Sequence, residues 1–244
     1  MGHNTAFIGK VGDDFFGDQL RAAIKEAGID DIGLCIDEKI HTTLAMVHTY
    51  PDGDRDFSFY RNPGADMMLN KAEICEDILK NTKIFHFGTL SMTHEGVREA
   101  TKEAIRIAEE SGAVISFDPN LRPPLWNSLD EAKEQVLYGL AHCHILKISD
   151  NEIQWLTGEE DYTAGVNWIR ERYQIPLILV SMGKEGSRVY YNGSIVEVKP
   201  FLQKNTIETT GAGDTFCGCV LHYICEHGME GLDENKLKEM LTFA

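Results

Sequence analysis

The stretch "HILKISDNE", His144 to Glu152, places five residues of strand-like character directly before a helix-opening signature. His144–Ile148 is a short, mostly apolar run of the kind that forms a buried strand. Ser149 followed three residues later by Glu152 is a capping box, in which each side chain bonds the other's backbone N–H. A strand running straight into a capped helix is one half of a β-α-β unit. The same alternation recurs on either side. Lys83–Phe87 and Ala113–Asp118 read as strands, with a helix over about His94–Glu110 between them that turns Val97, Thr101, Ala104, Ile105 and Ala108 inward. Ser128 to Glu131 is a second capping box. A helix over Thr163–Arg172 leads to a strand at Leu177–Ser181. Alternating strands and helices at this spacing predict an α/β fold with a mostly parallel central sheet and helices on both faces.

Outward from this centre the rhythm changes. Arg188–Val198 reads as a hairpin turning at Asn192-Gly193. Helices are expected at about Asp214–His227 and Asp233–Phe243, and another near Lys71–Lys80. Thr5–Val11 reads as a strand and Asp14–Ala27 as a helix with Phe16, Leu20, Ala23 and Ala27 on one face. Ile40–Arg61 alternates and is split by Pro51-Asp52-Gly53-Asp54, so it is a hairpin; it is too polar on both faces for the core and is a candidate lid.

Composition narrows the function. The 244 residues carry 23 Lys and Arg against 39 Asp and Glu, a formal net charge of −16. That balance disfavours nucleic acid and anionic membranes as partners. No apolar run approaches the roughly 18 residues a membrane helix needs, and the first residues lack a secretory signal. The six cysteines form no C-x-x-C pair and read as reduced thiols of a cytoplasmic protein. His142 and His144 flank the mouth of a strand and are not read as a metal site.

The chemistry concentrates in "TIETTGAGDTFCG", Thr206 to Gly218. A helix start carries unpaired N–H groups and a partial positive charge, and small residues let an anion approach them. Gly211, Ala212 and Gly213 are the candidate anion hole. Asp214 beside it would be costly unless the acid does chemistry. Phosphoryl transfer supplies such a task, because the attacking hydroxyl must lose a proton. The alternative is that Asp214 merely caps its helix. Neither the dinucleotide pattern nor a Walker loop fits, which weighs against a dinucleotide oxidoreductase.

Ile207–Phe216 resembles the second signature of the ribokinase-like (PfkB) carbohydrate kinases. "AFIGKVGDDFFG" (Ala6–Gly17), "FSFYRNPGADMML" (Phe57–Leu69), "SFDPNLRPPLW" (Ser116–Trp126) and "VSMGKEGS" (Val180–Ser187) are similar to other segments of that family, the second and third to its fructokinase branch. The resemblance covers essentially the whole chain. It implies a ribokinase-like three-layer sandwich with a small β-hairpin lid at about 40–61, in one kinase domain over 1–244. It implies transfer of the ATP γ-phosphoryl group to a sugar hydroxyl with Mg²⁺, with fructose the leading substrate, 2-keto-3-deoxygluconate the sibling and a non-catalytic relative the third reading.

Carried over position by position, Asp214 is the base, and Gly211, Ala212 and Gly213 hold the anion. Phe59, Arg61, Asn120 and Arg122 meet the sugar or its phosphate. Lys147, Glu152, Ser181, Gly183 and Gly186 lie on the nucleotide side, with Glu152 near Mg²⁺ through water. Ser149 stands where many relatives have Asn. Glu208 replaces the usual Asp, and with Thr210 is the K⁺ candidate. The exposed hairpin Ile40–Arg61 points to a homodimer through the lid, and the resemblance implies a chain that starts after the family's first strand and Gly-Gly motif and stops before its last helix and strand, as a fragment or miscalled product would.

Overall fold

The computed structural model describes residues 1–50, 55–201 and 210–244. In chain order the elements are β1 (Ala6–Gly12), α1 (Phe15–Glu26), β2 (Asp30–Asp37), β3 (Leu44–Thr49), β4 (Arg55–Tyr60), α2 (Glu76–Lys80), β5 (Ile84–Gly88), α3 (Glu95–Glu110), β6 (Val114–Asp118), α4 (Leu129–His142), β7 (Ile145–Ser149), α5 (Asp150–Thr157), α6 (Tyr162–Arg172), β8 (Leu177–Ser181), β9 (Ser187–Tyr191), β10 (Ser194–Val198), α7 (Ala212–His227) and α8 (Glu234–Phe243). The predicted turn Pro51–Asp54 and the cation candidate Glu208 lie outside the described residues. The chain divides into two compact units, residues 1–82 with 90–113 and residues 83–89 with 114–244.

The second unit holds a six-stranded sheet in the order β10-β9-β8-β7-β6-β5. Strands β5 to β8 run parallel, and β9 and β10 are antiparallel. In β7 and β8 the first four residues are all buried, as expected of central strands covered on both faces. One side packs Ile145, Leu177, Leu179 and Val189 against Val220 and Ile224 of α7 and Leu237, Met240 and Leu241 of α8. The β9–β10 hairpin turns on Asn192 (φ 46°) and Gly193 (φ 86°), the two left-handed residues that a two-residue hairpin turn requires. The expected capping box of α5 is present in full: the Ser149 hydroxyl accepts from Glu152 N and Glu152 accepts from Ser149 N. At α4 Ser128 accepts from Glu131 N, while the Glu131 carboxylate takes the Asn127 side-chain amide (3.0 Å).

The first unit contains a parallel pair, β1–β2, and an antiparallel ribbon, β3–β4. The ribbon is the expected hairpin, with Met46, Val47 and Tyr60 exposed. Helix α3 buries all five residues predicted to face inward.

Three features differ from expectation. Strand β2 was absent from the sequence reading: two acids open it and Gly33 interrupts it. Gly33 is there because a Cβ would lie 2.7 Å from the Phe7 carbonyl oxygen of β1. The helix expected over Lys71–Lys80 is two pieces, a 3-10 turn at Lys71–Glu73 and α2, because Ile74 is extended (φ −69°, ψ 121°) after the Asn70–Glu73 capping box. The apolar face of α1 is not buried; Phe16 is 49% and Leu20 47% exposed, and Gly17 is the one buried residue of the helix.

Candidate active site

In an open α/β sheet, ligands gather at the carboxyl ends of the parallel strands. Asp118 ends β6, Ser149 ends β7 and Ser181 ends β8, with Ser149 and Ser181 paired across the ladder. Helix α7 starts at Ala212, with Gly211 as its N-cap in the left-handed region (φ 76°) and, among the described residues, no side-chain cap. Asp214 therefore does not serve as the cap. It is exposed on the first turn. Thr210 is exposed immediately before Gly211.

Lys147 lies directly behind this helix start. Its Nζ is 3.1 Å from where a Cβ on Gly213 would sit, so the glycine is what admits the ammonium. Lys147 is bonded to Asp118 at 3.0 Å, the two side chains being 8% and 5% exposed. Burial pushes the Asp118 carboxyl up to about 6; Lys147 opposes that rise, while Glu152 and Asp214 add to it. The mutual influence places Asp118, Lys147, Glu152 and Asp214 in one electrostatic neighbourhood. Beneath it, His86 Nδ1 meets Ser116 Oγ at 2.9 Å. Burial lowers the His86 pKa and raises the Cys217 thiol to about 12.

The loop after β6 is held by Glu152. One of its oxygens accepts from Leu121 N (2.7 Å), and the other from Ser149 N (2.9 Å) and Ser149 Oγ (2.7 Å). Asn120 is left-handed (φ 44°) with its N–H on Asp118 Oδ1 at 3.2 Å. Arg122 Nη1 donates to the Leu121 carbonyl at 3.2 Å. Ser181 ends β8, and Gly183 and Gly186 lie in the tight turn to β9, where Met182 N donates to the Gly186 carbonyl at 2.9 Å. His144, the residue weighed as a metal ligand, accepts from Ile115 N at 2.9 Å.

Phe59 and Arg61 belong to the first unit. Phe59 stacks on Phe57 in β4, with centroids 5.9 Å apart. The Arg61 side chain is 6% exposed and bonds Asp66 Oδ2 through Nε (2.8 Å) and Nη2 (2.5 Å), Thr93 Oγ1 (2.7 Å) and the Leu90 carbonyl (2.9 Å).

Sequence reasoning named Lys147 but missed Asp118 and Asp66. Asp118 sits at the end of a strand in "SFDPN", a position that could have flagged it. Asp66 carried no such signal.

The description of pfkB family carbohydrate kinases matches residues 1–244. The chain belongs to that family. It is a carbohydrate kinase, a phosphotransferase acting on an alcohol. It is 40% identical over 247 residues to fructokinase-2 of Solanum lycopersicum, and 39% identical over 244 residues to fructokinase-1 of Oryza sativa subsp. japonica. Both matches cover all of this chain, and 74% and 75% of the relatives. Among solved structures, the ATP-bound fructokinase of Xylella fastidiosa superposes with a TM-score of 0.84 at 29% identity, covering 99% of this chain and 76% of that one. The fructokinase of Vibrio cholerae O395 with fructose, ADP and calcium gives 0.85 at 28%, covering 98% and 76%. The mostly parallel sheet is the fold these kinases share.

Proposed function

We propose that this kinase transfers the γ-phosphoryl group of ATP to fructose, giving fructose 6-phosphate and ADP. The observation that carries the reading is the start of α7, which has no side-chain cap among the described residues, with the buried Lys147 ammonium beside Gly213. Backbone N–H groups of the first helical turn together with a cation beside it suit a group whose oxygens bear the negative charge of the transition state. Asp214 takes the proton of the attacking hydroxyl on a carboxylate oxygen. The sugar oxygen forms its bond to phosphorus as the bond to the ADP oxygen breaks. Phe59, Arg61, Asn120 and Arg122 are proposed on the sugar side. Ser181, Gly183 and Gly186 are proposed on the nucleotide side.

The residues present suit a phosphate-bound cation. A divalent ion, Mg²⁺ in our reading, would supply charge neutralisation for the phosphates when bound. Glu152 would reach it through water, because both its oxygens already accept protein hydrogen bonds. Thr210 would contribute to a K⁺ site. We further propose one kinase domain in a cytoplasmic homodimer joined through the β3–β4 ribbon. No helix of the described residues is long and apolar enough to cross a membrane.

The test is ADP release from the purified chain with Mg-ATP and either fructose or 2-keto-3-deoxygluconate. Phosphorylation of fructose is expected. Preference for the keto acid would move the substrate to the sibling reading, and transfer to neither sugar would contradict the proposal.

A further inference from the structure

The ribbon β3–β4 is a two-stranded sheet paired with itself, so its orientation depends on what fixes its two ends. Both ends meet at one carboxylate. Thr43, the residue before β3, donates its hydroxyl to Asp66 Oδ1. Arg61, the residue after β4, donates Nε and Nη2 to Asp66 Oδ2. Asp66 is the second residue of a 3-10 turn, Ala65–Met68, and Ala65 N donates in turn to the His41 carbonyl (2.9 Å). The crossing is too tight for any side chain at Gly64, where a Cβ would lie 1.8 Å from Thr43 Oγ1 and 2.8 Å from Asp66 Oδ1.

Each leg then has a second anchor. Thr42, next to Thr43, accepts Gly12 N on its hydroxyl (3.0 Å) and donates its own N–H to Asp14 Oδ2 (2.7 Å). Arg61 spends its remaining contacts on Thr93 and the Leu90 carbonyl. A hydrogen bond to a charged group is worth more than a neutral one, and a buried guanidinium stripped of its acid is left partly unpaired.

We infer that Asp66 is a positioning residue: by holding one leg of the ribbon on each carboxylate oxygen, it sets the attitude of β4, which carries Phe59, and of Arg61 just after it. This rests on the sugar-kinase reading insofar as that strand serves the sugar. The clamp itself stands on geometry alone, and the experiment separates the two.

Backbone amide exchange, followed by mass spectrometry on the 244-residue chain, reads the clamp without catalysis. Asp66→Asn keeps an acceptor for Thr43 but loses the charge facing Arg61, and should speed exchange in residues 44–49 and 55–60 by about tenfold. The six-stranded sheet should exchange as in the wild type. Thr43→Val removes the other leg and should act in the same direction on 44–49, and Thr43→Ser should restore protection. If Asp66→Asn fails to fold, the Thr43 pair decides the clamp by itself. Unchanged ribbon exchange in the folded variants would overturn it.

Steady-state kinetics of the same proteins then read the positioning. Asp66→Asn should raise the KM for sugar about tenfold, with kcat and the KM for ATP within about twofold. A loss confined to kcat or to ATP would overturn the positioning role. A wild-type chain that phosphorylates no sugar would refute the kinase reading, while the exchange result would still decide the clamp.

Discussion

Lys10 and Lys147 are two lysines with side chains 8% exposed, each facing carboxylates. Lys10 stands in β1 between Glu73 (2.7 Å) and Asp37 (3.4 Å). Burial alone would lower its pKa, but the bond and charge of Glu73, followed by those of Asp37, raise it. It therefore joins β1, the end of β2 and the turn at Lys71–Glu73, a structural task. Among the described residues Lys147 has one ion-pair partner, the buried Asp118, and its ammonium lies against Gly213, the second residue of α7. A cation with two acids around it is neutralised within the protein. Among the described residues Lys147 makes one ion pair, with Asp118, and in the proposed reading its ammonium also serves an anion held at the start of α7.

That contrast can be broken by the same substitution at both sites. Lys147→Met should lower turnover by about 10²–10³-fold in the folded protein, the scale of removing one donor to transition-state charge. Lys10→Met should leave kcat nearly unchanged but cost about 3 kcal/mol or more in denaturant unfolding, since breaking a buried ion pair strands its partners. Equal effects on turnover would erase the distinction.

A smaller effect sharpens it. Burial raises the Asp118 carboxyl to about 6 from its ordinary value of 3.8, so the folded state binds its proton more tightly than the unfolded chain does. Its contribution is least unfavourable below the unfolded pKa. Stability should therefore fall as pH rises from about 4 to about 6, by at most about 3 kcal/mol. Asp118→Asn should flatten that segment of the profile measured by urea unfolding. A profile with the same slope in wild type and variant would place the titration elsewhere.

Much of this was legible in the sequence where local signals suffice. The capping box of Ser149 and Glu152, the Asn192-Gly193 turn and the inward face of α3 each depend on residues a few positions apart, and each formed as read. What escaped depends on distant partners. Strand β2 needs β1 beside it to explain Gly33. The partnership of Lys147 with Asp118 joins two strands through a side-chain contact that no spacing rule encodes. Strand periodicity put Arg61 and Phe59 on one face, but it could not show that the planar fork of Arg61 is held by Asp66, Thr93 and Leu90. The face of α1 shows the converse: its apolar pattern is real, but among the described residues Phe16 and Leu20 stay half exposed. Periodicity gives a helix its face, and only packing says what covers it.

The central claim is that α7 begins as an anion cradle with its own base, Asp214. Single-turnover phosphoryl transfer to fructose by Asp214→Asn, alongside Mg-ATP binding by calorimetry, tests it most directly. The account predicts a fall in the transfer rate of about 10³-fold with ATP affinity within about threefold of wild type. Transfer at close to the wild-type rate would contradict it.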